Sequence, residues 1–301
     1  MLEGYRIDRQ LSLGGFSVVY LAFDKSGTPV AIKEYLPSGL ALRASGCVLP
    51  TIADEHLAAF RQGMKCFFEE GRSLAHLNHP NLVRVLNFFR ANETVYLVMQ
   101  YERGRTLQEH IQKHRGHLRE PFLRTVFSRL LNGLREVHSR KMLHLDIKPA
   151  NIYLRNDGTP VLLDFGAARQ TMARESVVLK PMYTPGYAAP EQFHGREDGL
   201  GPWTDVYAIG ASMYACLAAA APQSADQRQT LDRLIPAATR WQGKYSGQLL
   251  ETIDSCMRID PTARPKSMLE LQRALAERLD AEASRGWLGG LRQRFVDLLA
   301  P

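Results

Sequence analysis

Four side chains close together in this 301-residue chain have the types and spacing needed to move a phosphoryl group. Asp146 supplies a carboxylate that can take the proton of an acceptor hydroxyl, and Lys148 supplies an ammonium that can meet phosphoryl charge in transit. Asn151 offers an amide oxygen, and Asp164, thirteen residues further on, a carboxylate. Both are hard oxygen donors suited to Mg²⁺ on phosphates. They sit in His144-Leu145-Asp146-Ile147-Lys148-Pro149-Ala150-Asn151 and in Asp164-Phe165-Gly166.

The length allows one large or two small domains, and 45% hydrophobic with 23% charged residues is the composition of a chain that buries a core. Lys plus Arg number 38 against 31 Asp plus Glu, an excess common on soluble enzymes, and no nucleic-acid partner is expected. Cys47, Cys66, Cys216 and Cys256 form no CxxC pair, and the chain shows no signal peptide, so a reducing cytoplasm is expected. The longest uncharged run, Val206 to Ala225, contains Gly210, four consecutive alanines and Pro222. Its hydrophobicity is weak for a membrane span and predicts a buried core helix.

The elements that must position the four side chains fall into two halves. Tyr5–Leu13, Val18–Phe23 and Pro29–Tyr35 read as strands joined by turns at Gly14-Gly15 and Ser26-Gly27, which predicts a small antiparallel sheet. Between Asp54 and His76, Phe60, Met64, Phe67 and Leu74 share one side of a helix. Leu82–Phe89 and Thr94–Gln100 read as two more strands. Beyond Thr106 the pattern turns helical, with a stripe of Phe122, Val126, Leu130, Leu134 and Val137 starting just after Pro121.

This order of motifs resembles the catalytic core of protein kinases over residues 5–280, and the match is highly specific. The resemblance implies an α+β, two-lobed fold, with an antiparallel-sheet lobe over residues 1–101 carrying one main helix and a larger helical lobe over 102–280. Residues 281–301 are left as a tail. It implies transfer of the γ-phosphate of ATP, with Mg²⁺ (or Mn²⁺ in its place), to protein substrates, autophosphorylation included, in a signalling role. Asp146 would orient and deprotonate the acceptor, Lys148 would stabilise the phosphoryl group, and Asn151 and Asp164 would hold the metal.

Kinases bring backbone amides to the phosphates on a Gly-x-Gly-x-x-Gly hairpin. Here Ser12-Leu13-Gly14-Gly15-Phe16-Ser17 occupies that place, keeping only Gly14 of the three glycines. Lys33, in Ala31-Ile32-Lys33, matches the lysine that pairs with the α- and β-phosphates, and Glu70, counted back from His79-Pro80-Asn81, matches the carboxylate that holds it. Phe67 and Leu74 flank position 70 on the apolar face, which turns Glu70 inward and its neighbour Glu69 aside. Met99 stands at the gatekeeper position and Gln100, Tyr101 and Glu102 at the hinge, with Val19, Ala31 and Tyr153 as the apolar walls around a purine.

Downstream, Thr184-Pro185-Gly186-Tyr187-Ala188-Ala189-Pro190-Glu191 resembles the substrate-docking end of the activation segment, with the Thr184 hydroxyl expected to bridge Asp146 and Lys148. The resemblance gives His144, Asp205, Glu191 and Arg264 structural roles: Asp205 braces the catalytic loop, and Arg264 pairs with Glu191. Lys148 marks the serine/threonine pattern, and the Lys33-Glu34-Tyr35-Leu36-Pro37 continuation with the long insert after it resembles bacterial members.

Leu145 replaces the arginine that many kinases place before the catalytic aspartate to grip a loop phosphate. Phosphorylation of Thr171, Ser176 or Thr184 is therefore not expected to be the main switch, with Arg169, Arg174 and Lys180 as the substitutes that would defeat this reading. In the tail, Trp287, Leu291, Phe295 and Leu298 or Leu299 fall near helical spacing among arginines, which predicts packing on the helical lobe or the start of a linker in a longer protein, or alternatively docking of 285–301 on a membrane or partner. Two rivals remain at this level. One is a pseudokinase scaffold, suggested by Ser12 and Ser17; the other is a small-molecule kinase, disfavoured by the Ala-Pro-Glu segment.

Overall fold

A computed structural model describes residues 2–115, 117–165, 183–193 and 199–276. In chain order the first half comprises β1 (Arg6–Leu13), β2 (Ser17–Phe23), β3 (Pro29–Tyr35), a two-residue hairpin of β4 (Ala41–Leu42) and β5 (Thr51–Ile52), α1 (Leu57–Leu74), β6 (Val85–Ala91) and β7 (Thr94–Gln100). The five long strands make one antiparallel sheet in the order β1-β2-β3-β7-β6. Helix α1 packs on one face of it through Phe60, Phe67 and Leu74, all buried as the periodicity predicted. Ala22, Val30, Ile32, Tyr96 and Val98 form a separate small core on the other face.

The period-two alternation of β3 decides which residues meet the active cleft. Lys33 points toward α1, its ammonium 5.7 Å from the centroid of the Phe67 ring, while Glu34 points to the opposite face beside Tyr96. The strand expected over Leu82–Phe89 is displaced. It begins at Val85, because Leu82 bridges to Leu162 and the Val83 amide donates to the Leu162 carbonyl at 3.0 Å, tying this stretch to the second half of the chain.

The second half comprises β8 (Gly104–Thr106), α2 (Leu107–His114), α3 (Glu120–Ser139), β9 (Ile152–Arg155), β10 (Pro160–Leu162), α4 (Pro190–Phe193), α5 (Pro202–Ala218), α6 (Ala225–Thr230), α7 (Ala237–Arg240), α8 (Gly247–Cys256) and a helical stretch over 268–276. Thr106 and Glu109 form a reciprocal capping box that starts α2, and Pro121 occupies the first turn of α3. The uncharged run is the buried helix expected of it, α5, although that helix starts at Pro202 and stops at Ala218, with Ala219 in the left-handed region at φ +54°. Gly210 lets α5 meet α8, since a Cβ there would sit 2.5 Å from the Cβ of Cys256. Among the described residues no helix is long and apolar enough to cross a membrane. Thr171, Ser176, Arg169, Arg174, Lys180 and the tail 281–301 lie outside the described residues.

Candidate active site

The loop between α3 and β9 carries the first three chemical side chains, and a buried carboxylate sets its shape. Asp205, on α5, accepts the backbone N–H of His144 through Oδ2 and that of Leu145 through Oδ1, each at 2.9 Å, and the His138 ring nitrogen Nε2 lies 2.8 Å from Oδ2. Burial alone would raise the pKa of Asp205, but the bond and charge of His138, followed by His144, hold it below the ordinary aspartate value. Leu145 takes φ +63°, a left-handed conformation that costs a non-glycine residue about 1–2 kcal/mol. The bonds from Asp205 offset that strain.

His144 supports the loop from within. Its Nδ1 accepts the Asp146 amide at 3.3 Å, which leaves the proton on Nε2, and Nε2 donates to the Leu163 carbonyl at 2.9 Å. The ring also packs 4.5 Å from Phe165, so one buried imidazole joins the segments that bear Asp146 and Asp164.

Three groups then converge on the Asp146 carboxylate. Lys148 Nζ lies 3.1 Å from it and 2.8 Å from Thr184 Oγ1, and the Thr184 hydroxyl donates to Asp146 Oδ1 at 3.1 Å, the bridge expected from the sequence. Asn151 Nδ2 donates to the Asp146 backbone carbonyl at 2.8 Å and to Oδ2 at 2.9 Å. With its amide nitrogen so engaged, Asn151 presents its carbonyl oxygen on the other side, the atom that suits a hard cation.

Lys33 Nζ forms an ion pair with Asp164 Oδ1 at 2.9 Å. The two bound a cavity of about 340 Å³ whose walls include Ser12 to Ser17, Val19, Phe67, Glu70, Asp146, Lys148, Ala150, Asn151 and Phe165. Glu70 thus faces the cleft as its helical position predicted. Asp164 has φ +48°, so the backbone at this carboxylate is also left-handed. The donor set, an aspartate carboxylate and an asparagine amide oxygen beside two lysines, has the chemistry to hold Mg²⁺ and polyphosphate together.

The residues expected around a purine flank β3, β7 and β9. Ala31 pairs with Met99 across β3 and β7, Met99 is buried, Gln100 is exposed, and Tyr101 and Tyr153 are half-buried; of the apolar walls, Val19 alone also borders the cavity. The hinge is clamped by Arg155, whose Nε and Nη2 donate to the two Glu102 oxygens at 2.6 and 2.7 Å. The Glu191–Arg264 pair is present and buried: Nη1 and Nη2 donate to the two carboxylate oxygens at 2.8 and 3.0 Å, with Thr204 Oγ1 donating at 2.9 Å.

Four participants had no motif to announce them. His138 supports Asp205 from α3; Gln192 donates to the Leu145 carbonyl at 3.1 Å; Ser38 bonds the tip of the β1–β2 hairpin; and Arg43 pairs with buried Glu34. The first three act on backbone or across a long stretch of chain, and Arg43 reaches Glu34 over nine residues with no helical or strand period between them, so no local spacing signals the contact.

Comparison with known proteins agrees with this geometry. The family model for the protein kinase domain matches residues 5–276. Serine/threonine-protein kinase C of Synechocystis sp. is 30% identical over 90% of this chain and 49% of its own length, and serine/threonine-protein kinase D of the same organism is 29% identical over 91% and 52%. Serine/threonine-protein kinase Nek5 of Mus musculus is 28% identical over 94% of this chain and 42% of its own. The chain therefore spans about half the length of the curated relatives it matches. A solved structure described as PpkA-294 apo form superposes with a TM-score of 0.82 at 31% identity, covering 91% of this chain and 97% of that one. With the motif order, the two-lobed fold and these relatives in agreement, the chain belongs to the Hanks-type serine/threonine protein kinase family, alongside its bacterial members.

Proposed function

We propose that this domain transfers the γ-phosphate of Mg-ATP to serine or threonine hydroxyls of protein substrates, itself included, as the catalytic part of a signalling protein in the reducing cytoplasm. The observation that carries the reading is the convergence of Lys148, Thr184 and Asn151 on the single Asp146 carboxylate. Such an arrangement fixes a proton acceptor and a cation at one point, where an acceptor hydroxyl and a transferring phosphoryl group would meet. Asp146 accepts the hydroxyl proton, and Lys148 neutralises phosphoryl charge. Asn151 and Asp164 hold Mg²⁺, which supplies charge neutralisation on the nucleotide phosphates. Lys33, aligned by Asp164 and by Glu70 from α1, positions the nucleotide, and Ala31, Met99, Gln100, Tyr101 and Tyr153 serve its adenine end. The four cysteines are all free thiols, in keeping with a reducing compartment.

The test is transfer of ³²P from γ-labelled Mg-ATP to the protein and to myelin basic protein, with phosphoamino acid analysis. Label on serine or threonine that vanishes in Asp146→Asn is the expected result. Label that persists in that variant, or none at all from wild type despite ATP binding, defeats the proposal.

A further inference from the structure

The end of β3 and the segment that follows it carry a buried charge cluster and a contact to the phosphate-facing hairpin that the reaction does not explain. Glu34 is fully buried, yet its carboxylate receives four donors: Arg43 Nη2 at 2.6 Å and Tyr96 hydroxyl at 2.6 Å on Oε1, Arg43 Nη1 at 2.7 Å and Tyr20 hydroxyl at 2.9 Å on Oε2. Tyr35 is buried against Phe60 and Phe67. Residues 36–42 are therefore a short span anchored at both ends, tightened by the Leu40 and Ala41 amides donating to the Pro37 carbonyl at 2.9 Å each. Closing so short a loop between fixed points leaves it little freedom.

That span meets the tip of the β1–β2 hairpin. The Ser38 amide donates to the Gly15 carbonyl at 3.0 Å and the Ser38 hydroxyl to the same oxygen at 3.2 Å, while the Leu36 amide donates to the Phe16 carbonyl at 3.0 Å. A trans peptide plane points its N–H opposite to its carbonyl. Drawing the Gly15 and Phe16 carbonyls toward residues 36–38 consequently turns the Phe16 and Ser17 N–H groups away from them. Gly15, Phe16 and Ser17 border the cavity that holds Lys33 and Asp164, and residues 36–38 do not. Where two of the hairpin's three glycine positions are Ser12 and Ser17, the backbone has less freedom to adjust to an anion, and its donors must be aimed beforehand.

We infer that the span 36–42, locked by the Glu34–Arg43 pair, is a brace that presets the hairpin amides for nucleotide phosphates, with Ser38 and Arg43 as positioning residues. The inference rests on the reading of that hairpin as the phosphate cradle.

Titration calorimetry of the full chain with Mg-ATP and with adenosine tests it, on wild type, Ser38→Ala and the double variant Glu34→Gln/Arg43→Met, in which no buried charge is stranded. Ser38→Ala should weaken Mg-ATP about three-fold and the double variant about five- to ten-fold, on the scale of one hydrogen bond or slightly more. Adenosine affinity should stay within about two-fold, and KM for ATP should rise with kcat at saturating ATP retained. Unchanged Mg-ATP affinity in Ser38→Ala, or equal weakening of ATP and adenosine, overturns the brace. Wild type that binds adenosine as tightly as Mg-ATP overturns instead the phosphate-cradle reading beneath it.

Discussion

The side-chain amide of Gln192 donates to the backbone carbonyl of Leu145 at 3.1 Å while its Oε1 accepts the Ala189 amide at 2.8 Å, so one buried side chain joins the catalytic loop to the docking segment. Leu145 is thereby held at both ends, its N–H by Asp205 and its carbonyl by Gln192. Gln192→Glu keeps the acceptor but sets an anionic oxygen against the Leu145 carbonyl. It should lower kcat about ten-fold with the affinity for Mg-ATP unchanged, a difference on the order of one hydrogen bond turned to repulsion. Steady-state kinetics beside calorimetry reads this, and a wild-type kcat would refute it.

The same link bears on regulation. Where an arginine before the catalytic aspartate would grip a phosphorylated loop, this chain has Leu145 with a neutral tether to the docking segment. A loop phosphate is then expected to add little differential stabilisation to the active arrangement. Thr171→Ala/Ser176→Ala should keep most of the wild-type transfer rate, and phosphatase treatment of wild type should change it little. A collapse of the rate in either case would show that loop phosphate is required.

Thr184 joins Lys148 and Asp146 through its hydroxyl alone. Thr184→Ser preserves that hydroxyl and should retain most activity. Thr184→Val removes it at nearly constant volume and should lower kcat about 10- to 100-fold, the range for a hydrogen bond to a charged group. Equal rates for the two variants would remove the hydroxyl from the mechanism.

Asp205 has a native pKa below its ordinary value, because bonds from His138 and the loop amides overcome the cost of burial. On acidification the unfolded chain therefore takes up this proton first. The stabilisation is complete above the ordinary aspartate range and is lost as pH falls through it toward the lower native value. Asp205→Asn should destabilise the fold by about 3 kcal/mol at pH 7, with the gap from wild type narrowing near pH 3. Urea unfolding of both proteins at the two pH values measures this; a gap independent of pH would contradict the assignment.

Arg264 is buried and donates to Glu191 and to the carbonyls of Arg258, Trp203 and Ile259. Lysine cannot reproduce that planar fork. Arg264→Lys should cost about 2–4 kcal/mol, because the bonds lost are buried ones beside an ionised partner. Thermal melts against wild type check it, and a melting point within a degree would show that the fork is dispensable.

The sequence by itself determined the order of chemical residues, the family and most of the sheet, because these rest on short-range spacing. Asp146, Lys148 and Asn151 sit in one eight-residue segment, and alternation along β3 already separates Lys33 from Glu34. Helix periodicity likewise placed Phe67 and Glu70 on the cleft side of α1. Tertiary structure alone decided what holds these residues in place. The start of β6 moved to Val85 because Leu82 and Val83 were claimed by Leu162, far along the chain. The brace at Ser38, the His138 contact to Asp205 and the Gln192 tether to Leu145 are bonds to backbone or between distant segments. Backbone carbonyls and amides are the same at every residue, so a sequence cannot say which of them a distant side chain will reach; tertiary packing within each lobe and between them makes that choice.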